Sequence, residues 1–312
     1  MKKLLTICLP TYNRANVLSE SLEHIVSQIT DENKTKVEIL VSDNCSTDNT
    51  PEVVKSFIER GIPIAYNRNS ENLGSDGNFL YCINNAKGKY IWLLGDDDYL
   101  LEGTLDYLLS FMSEDYGLIH IKETNRKKIK YKEYKTGDIA FYKDISHMLT
   151  FMSINIINSS TIKGVESPTQ YNKTWFLQVP FYINAGCSAL LGKNIILYRK
   201  ILDCGHASSS NGGYNYFTVI VKNYLNIWRK ACEYGWISYH SFNELKRKYF
   251  NTFVINKIDF YLIRKKMDAN YDLSNSWNII KEEFGGKLYF YTGFVFYYAK
   301  TLAKLIVRSF IK

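Results

Sequence analysis

The sequence predicts an α/β fold in which a mostly parallel sheet is flanked by helices, followed by a helical, aromatic-rich C-terminal extension. Two observations indicate this class. Short apolar runs alternate with segments of helical periodicity over the first 122 residues, as they do in β-α-β units. Between residues 215 and 285, aromatic side chains recur every three or four positions, which is the spacing of one helix face.

Five short apolar runs are predicted to be strands, because they are bounded by polar or turn-forming residues and most are rich in branched side chains. They cover residues 4–9, 37–41, 62–66, 90–94 and 117–121. Helices are predicted between them over residues 14–29, 51–60, 74–86 and 101–113. Residues 126–134 form a basic, tyrosine-rich segment that is typical of a loop or hairpin.

The composition is that of a globular protein, with 46% apolar and 22% charged residues. Six cysteines are scattered without a C-x-x-C pair, and the first apolar run stops at Pro10, too early for a secretory leader. We therefore expect reduced thiols and a cytoplasmic location. The net charge of +8 suits a phosphorylated ligand or an anionic membrane, whereas no nucleic-acid partner is expected because no binding module is recognisable.

Three polar loops follow predicted strands at their carboxyl ends. They cover residues 10–14, 43–49 and 95–98. Because ligands of open α/β sheets bind beyond the carboxyl ends of the strands, we expect these loops to be neighbours in space. Four strands with helical crossovers in under 100 residues predict a nucleotide-binding arrangement.

Three consecutive aspartates, Asp96, Asp97 and Asp98, follow the fourth predicted strand. Their charges repel one another unless a cation or hydrogen-bond donors neutralise them. A divalent metal is one solution, because Mg²⁺ and Mn²⁺ bind carboxylate oxygens together with substrate phosphates. The alternative is a solvated acidic turn that caps the next helix. The run alone does not decide between the two.

Two further loops favour a nucleotide site. Residues 43–48 carry side chains suited to the edges of a base and the hydroxyls of a ribose. Asn72 and Gly74 precede a helix, where glycine permits close backbone approach and the helix N-terminus can face an anion. Each loop alone is also an ordinary turn, so their joint placement at the strand ends carries the prediction.

Four motifs occur in a characteristic order: TICLPTYNR at 6–14, VSDNCSTD at 41–48, ENLG at 71–74 and GDDD at 95–98. Together they resemble family 2 glycosyltransferases of the GT-A fold, and within that family the abequosyltransferase-like enzymes of O-antigen and capsule assembly. The resemblance covers about residues 3–120. It implies a Rossmann-like GT-A domain that uses a nucleotide-sugar donor, with UDP favoured and CDP, dTDP or GDP possible.

The resemblance also implies roles for residues of these motifs. Nucleotide contacts are implied for Pro10, Thr11, Tyr12, Arg14, Asp43, Asn72, Gly74 and Asp96. A divalent metal, Mn²⁺ or Mg²⁺, is implied, with Asp97 as its main ligand and Asp98 as a second. The family pattern is Asp-x-Asp-Asp, and Gly95 stands where its first aspartate is expected, so the ribose contact of that carboxylate is either lost or taken by Asp96.

An inverting transfer needs a general base that removes the proton of the acceptor hydroxyl. The family base is implied within a stretch that here covers residues 174–180, which contains no carboxylate. Glu166 ranks first among other candidates, before Asp138, Asp144, His147 and Asp203. Residues 204–213 resemble, by their position, a loop that covers the diphosphate, and His206 is a candidate third metal or phosphate contact.

We expect a catalytic domain over residues 1–215, with a donor half at 1–122 and an acceptor half at 123–215, followed by a helical region at 216–312. Its tail repeats a basic residue every four positions beside apolar ones, which is typical of an amphipathic helix on anionic lipid. The apolar run at 288–299 is too short to span a bilayer, which takes about 20 residues.

The predicted function is transfer of a sugar to a hydroxyl of a glycan, with a lipid-linked oligosaccharide of bacterial surface polysaccharide as the expected acceptor at the inner face of the cell membrane. Two alternatives stay open at this point. One is a sugar-nucleotide-binding protein with impaired catalysis, because residues 174–180 lack a carboxylate. The other is a nucleotidyltransferase, because a base pocket and a metal motif do not state which bond breaks.

Overall fold

The computed structural model describes residues 3–123, 129–204, 212–266 and 270–310. The chain divides into two compact units, Met1–Ser208 and Ser209–Lys312. The first unit is an α/β structure and the second is mainly helical. This arrangement confirms the predicted fold class.

The first unit contains ten strands in its described residues. In chain order they are β1 (Leu5–Thr11), β2 (Val37–Asp43), β3 (Ile64–Arg68), β4 (Tyr90–Leu93), β5 (Asp98–Leu100), β6 (Tyr116–Ile121), β7 (Tyr131–Lys135), β8 (Asn155–Asn158), β9 (Lys193–Leu197) and β10 (Leu202–Cys204). Eight of them form one sheet in the order β3-β2-β1-β4-β8-β6-β9-β7, and β5 pairs with β10.

Strand direction divides this sheet into two parts. Strands β1 to β4 pair in parallel with one another, as predicted for β-α-β units. Strand β8 runs antiparallel to both β4 and β6, and β7 runs antiparallel to β9. The carboxyl ends of the parallel strands therefore meet at one edge of the sheet.

Among the described residues, six α-helices accompany this sheet: α1 (Ala15–Val26), α2 (Thr50–Glu59), α3 (Gly74–Asn85), α4 (Thr104–Phe111), α5 (Ile139–Ile145) and α6 (Gln178–Cys187). The core packs apolar residues of β1, β2 and β4 against α1, α2 and α4. Strand β1 is buried along its whole length, which is typical of a central parallel strand covered on both faces.

Two predicted elements start two or more residues later in the structure. The third strand starts at Ile64 rather than at residue 62, because Pro63 has no N–H to donate to a neighbouring strand. The fourth helix starts at Thr104 rather than at residue 101, because residues 98–100 form β5 and Gly103 adopts a left-handed φ of 71°.

The second unit contains helices α7 (Tyr224–Glu233), α8 (Tyr239–Tyr249), α9 (Ile255–Lys257), α10 (Ser276–Phe284) and α11 (Leu288–Phe310), with a short parallel pair β11 (Gly212–Asn215) and β12 (Asn270–Asp272). Its core is aromatic, and Phe250 lies within 6.1 Å of the rings of Phe284 and Phe294. Across the described residues, no helix combines the length and the apolar character that a membrane span requires.

Candidate active site

The candidate site lies at the carboxyl edge of the parallel strands. Thr11, the last residue of β1, is paired in register with Asp43, the last residue of β2. On the other side of β1, strand β4 ends at Leu93, three residues before Asp96. The structure therefore brings together the three loops that the sequence predicted to be neighbours.

Asp96 is the buried member of the acidic run, with 3% of its surface exposed. Its Oδ2 accepts a hydrogen bond of 2.7 Å from Thr11 Oγ1, and its Oδ1 pairs with the guanidinium of Arg14. Burial raises the pKa of the Asp96 carboxyl to about 6, while Arg14 and Thr11 act in the opposite direction. Asp96 is thus held by protein groups on both of its oxygens.

Arg14 also reaches the next aspartate. Its Nη2 donates a hydrogen bond of 2.9 Å to Asp97 Oδ2, so one guanidinium bridges two carboxylates. Part of the charge repulsion that suggested a metal is therefore relieved by an arginine. The pairing was missed at the sequence level because Arg14 stands 82 residues before Asp96.

Two other oxygens of the run lie close to Gly95. Asp98 Oδ2 and Asp97 Oδ1 lie 2.8 and 3.0 Å from the position that a Cβ on Gly95 would occupy. The Gly95 N–H donates to Ser153 Oγ at 2.8 Å, which fixes the backbone there. Both oxygens therefore lie on the same side of the Gly95 backbone. One or two carboxylates are the protein ligands that Mg²⁺ or Mn²⁺ commonly takes, with phosphates and water as its other ligands. The described residues contain no group of three or more His, Cys, Asp or Glu that could hold a metal.

Asp43 is fully buried and already has protein partners. Its Oδ1 accepts from the Ser46 N–H at 2.8 Å, and its Oδ2 accepts from the Tyr66 hydroxyl at 2.8 Å. Arg68 Nε lies 3.6 Å from the same Oδ2, and its side chain is 45% exposed. Tyr66 and Arg68 were not singled out from the sequence, although Tyr66 ends a predicted strand and Arg68 stands two residues beyond it.

The loop that contains Asn72 and Gly74 is fixed by asparagine side chains. Asn72 Oδ1 accepts from the Gly74 N–H at 2.9 Å and from Asn44 Nδ2 at 2.8 Å. Asn44 Oδ1 in turn accepts from the Leu73 N–H and from Asn69 Nδ2. Gly74 has a φ of 71°, which explains the requirement for glycine at the start of α3. The loop is therefore anchored to the end of β2.

The first motif presents one exposed aromatic residue. Tyr12 is 42% exposed just beyond the end of β1, whereas Pro10 is buried within that strand opposite Ser42. Asn13 continues the turn with a φ of 52°, and its Oδ1 accepts from the Thr47 N–H at 2.7 Å. The first and second motifs are thus joined by direct hydrogen bonds.

The stretch implied for the general base lies at the start of α6. Gln178, the first residue of α6, is buried, and its Nε2 donates to the Thr150 carbonyl at 2.9 Å. The structure brings a carboxylate to this stretch that sequence reasoning missed, since Asp76 Oδ2 accepts from the Lys173 N–H at 2.7 Å. Burial raises the pKa of the Asp76 carboxyl, although this backbone hydrogen bond opposes the change.

The candidate bases of the first unit differ in their surroundings. Glu166 is exposed, and its carbonyl accepts from Gln170 Nε2 at 3.1 Å. Asp138 caps α5 through the Ala140 N–H at 2.8 Å. Asp144 accepts a hydrogen bond from the Tyr134 hydroxyl and forms an ion pair with Lys132. Asp203 forms an ion pair with Lys200, and His147 is half-buried. His206 lies outside the described residues.

The sheet topology and the acidic run at the carboxyl ends of its strands agree with the GT-A fold that the sequence predicted. Comparison with known proteins specifies the family. The profile of the family described as "Glycosyl transferase family 2" matches residues 6–174, more than half of the chain. The chain belongs to this family.

Curated relatives match part of the chain. Abequosyltransferase RfbV of Salmonella typhimurium is 40% identical over 124 residues, which is 39% of this chain and 37% of that protein. The chain spans less than half the length of the first curated relatives that it matches.

Two solved structures show the same fold. Staphylococcus aureus TarS 1-349 in complex with UDP-GlcNAc has a TM-score of 0.66 at 16% identity, covering 90% of this chain and 80% of that one. A Pyrobaculum calidifontis mannosyltransferase in complex with GDP-Man and Mn²⁺ has a TM-score of 0.55 at 17% identity, covering 75% of this chain and 65% of that one.

Proposed function

We propose that the protein transfers a sugar from a nucleotide-sugar donor, UDP-linked in preference to CDP-, dTDP- or GDP-linked, to a hydroxyl of a glycan acceptor. The observation that carries this proposal is the pair of carboxylate oxygens of Asp97 and Asp98 above Gly95, at the carboxyl edge of the parallel sheet. Membership of family 2 and the nucleotide-sugar complexes of the two structural relatives support it.

The nucleotide is assigned to the loops around this edge. Tyr12, which is exposed, would contact the base, with Pro10, Thr11 and Asp43 shaping the pocket beneath it. Loop residues Asn72 and Gly74 would border the nucleotide, and Asp96 would face the ribose.

Asp97 and Asp98 would hold Mn²⁺ or Mg²⁺, which when bound stabilises the negative charge of the departing diphosphate. Arg14 orients Asp97 by binding its Oδ2, which leaves Oδ1 directed toward Gly95.

We assign the general base of an inverting transfer to Glu166. Among the carboxylates considered, Asp138 caps a helix, while Asp144 and Asp203 are engaged in ion pairs. Glu166 is exposed in the segment that leads to α6, and its carboxylate would accept the proton of the attacking hydroxyl. In this division of the chain, residues 1–122 bind the donor and residues 123–215 bind the acceptor.

Glu166→Gln tests this assignment, because glutamine keeps the shape of the side chain and removes its basicity. We expect donor binding to be unchanged and transfer to fall about 100-fold or more. Asp76→Asn serves as the comparison, because Asp76 Oδ2 accepts a hydrogen bond from the Lys173 N–H, just before the stretch implied for the base. Full transfer by Glu166→Gln together with a loss in Asp76→Asn would move the base to Asp76.

Nucleotide binding tests the donor site itself. Thermal unfolding of the wild type would be followed with UDP, CDP, GDP and dTDP, each with and without Mn²⁺. We expect one or more of them to raise the melting temperature in a metal-dependent manner, and Asp97→Asn to lose the metal-dependent part. Asp31→Ala is the control, because that carboxylate is 92% exposed. An unchanged metal response in Asp97→Asn would exclude Asp97 as the ligand.

The acceptor proposed here is a lipid-linked oligosaccharide, which places the protein at the inner face of the cell membrane. Helix α11 supports this with Tyr291, Val295 and Phe296, which are 60%, 69% and 74% exposed. Its sequence continues with Lys300, Lys304 and Arg308, and basic residues beside apolar ones favour anionic lipid.

A second function class is favoured by one observation. The first residue of α6, where the family base is implied, is Gln178, and an amide cannot accept a proton at neutral pH. A sugar-nucleotide-binding protein with impaired catalysis would retain the metal-dependent nucleotide response but release no nucleoside diphosphate from any donor.

A further inference from the structure

The turn before α6 carries an exposed tryptophan in an unusual backbone conformation. Trp175 has a φ of 69°, and Lys173, two residues earlier, has a φ of 64°. Residues with a Cβ rarely adopt this left-handed region, and such residues cluster at functional sites in native proteins. Trp175 is nevertheless 50% exposed, so the conformation is not explained by burial of its ring in a core.

Hydrogen bonds on one side of this turn attach it to the donor loop. The Lys173 N–H donates to Asp76 Oδ2 at 2.7 Å. Asp76 belongs to the first turn of α3, which begins at Gly74. The turn that contains Trp175 is therefore attached at Lys173 to the first turn of α3, although Lys173 and Asp76 are 97 residues apart in sequence.

Hydrogen bonds on the other side connect the turn to the acidic run. Gln178 Nε2 donates to the Thr150 carbonyl at 2.9 Å. Three residues later, Ser153 Oγ accepts from the Gly95 N–H at 2.8 Å, and the Ser153 carbonyl accepts from Trp92 Nε1 at 2.9 Å. The segment 150–153 is therefore hydrogen-bonded to α6 at one end and to Gly95, next to the acidic run, at the other.

That segment contains a second exposed aromatic residue. Phe151 is 56% exposed, although it lies between Thr150 and Ser153, which are both fixed by these hydrogen bonds. Single exposed aromatic residues are common on protein surfaces and carry no argument alone. Trp175 and Phe151 differ from that background because residues that flank them in sequence are hydrogen-bonded to α3 and to the acidic run.

We propose that Trp175, with Phe151 as a second contact, is the platform on which a pyranose ring of the acceptor glycan stacks. The C–H face of a pyranose is apolar, so it buries against an aromatic ring while the hydroxyls stay hydrated or hydrogen-bonded. The strained turn holds the indole in place before the sugar arrives, which lowers the entropic cost of binding. This inference rests on the proposed function, because it names the acceptor subsite of the same reaction.

The test compares Trp175→Ala and Trp175→Phe with Trp277→Ala, a control at a tryptophan that is 42% exposed in the second unit. Nucleoside diphosphate release from the donor is measured with water alone and with methyl glycosides of glucose, galactose, mannose and N-acetylglucosamine. Binding of the same glycosides is measured in parallel by saturation-transfer NMR, which requires no turnover.

We expect one or more glycosides to bind the wild type and to stimulate release. Trp175→Ala should keep release in water alone and weaken the glycoside response about tenfold, because the ring contact is lost. Trp175→Phe should lose less, and Trp277→Ala nothing.

An unchanged glycoside response in Trp175→Ala overturns the inference, as does a wild type that binds none of the glycosides. Glycoside binding that depends on Trp175 without any donor turnover would support the platform and contradict the proposed function.

Discussion

At the residue scale, Gly95 determines how the acidic run is arranged. A methyl group at this position would lie 2.8 Å from Asp98 Oδ2 and 3.0 Å from Asp97 Oδ1. An aspartate in place of Gly95, as the family pattern implies, would require these two carboxylates to move. The positions of Asp97 and Asp98 therefore depend on glycine, rather than aspartate, at residue 95.

We predict that Gly95→Ala folds with little loss in unfolding free energy, because the methyl group meets the ends of two partly exposed carboxylate side chains that move aside. The Mn²⁺-dependent part of the thermal shift with UDP, or with whichever nucleotide binds the wild type, should decrease. Gly192→Ala is the matched control, since a methyl group there meets nothing within 4 Å. A metal response equal to that of the wild type would show that Asp97 and Asp98 need not converge at this point.

His120 on β6 makes the stability of the protein depend on pH. Its ring is fully buried, its Nδ1 lies 2.8 Å from Asn155 Oδ1, and its Nε2 has no hydrogen-bond partner among the described residues. Burial lowers the pKa of His120 to about 4 from 6.5. Between these two values the unfolded chain binds more protons than the native one, so stability present above pH 6.5 is lost as the pH falls.

We predict that His120→Gln flattens this pH dependence. The wild type should lose up to about 3 kcal/mol of unfolding free energy through this residue between neutral pH and pH 4. Chemical unfolding at a series of pH values measures the slope for both proteins. His240→Gln is the control, because that side chain is 87% exposed. An identical slope in His120→Gln and the wild type would contradict the buried neutral state.

At the scale of elements, helix α11 has some residues that contact the rest of the second unit and others that are exposed to solvent. Tyr297 and Tyr298 donate hydrogen bonds of 3.1 Å to the buried carboxylate of Asp259, and Phe290 is 8% exposed. Leu288, Tyr291, Val295 and Phe296 are exposed on the same helix. This exposed side is the surface that we propose contacts the interface of a bilayer.

We predict that replacing Tyr291, Val295 and Phe296 together by serine releases the protein from vesicles that contain phosphatidylserine. Leu190→Ser provides the control, because Leu190 is 72% exposed in the first unit. Sedimentation with vesicles measures the bound fraction, which should also decrease with added salt. Equal sedimentation of the triple variant and the wild type would rule out α11 as the lipid-binding surface.

At the scale of the whole molecule, local patterns were sufficient to predict the parallel half of the sheet. Strands β1, β2 and β4 are apolar runs next to helical periodicity, and both signals are contained within a few residues. Strands β5 and β8 were not predicted, because β5 has three residues and β8 begins and ends with asparagine.

The pairings within the site could not be predicted in the same way. Arg14 meets Asp96 across 82 residues, and Asp76 meets the Lys173 backbone across 97. Such contacts depend on which elements become neighbours in the fold, and no local pattern records that. The motifs therefore located the site, while the arginine bridge, the Asp76 contact and the exposed Trp175 required the structure.

The most direct test of the account is metal-dependent release of nucleoside diphosphate from a panel of UDP-, CDP-, GDP- and dTDP-sugars, with sugar transfer followed by mass spectrometry. The wild type should release nucleoside diphosphate from one or more donors with Mn²⁺ or Mg²⁺, and Asp97→Ala should lose that activity while remaining folded. Release of pyrophosphate or nucleoside monophosphate instead, or full turnover by Asp97→Ala, would contradict a glycosyltransferase centred on the acidic run.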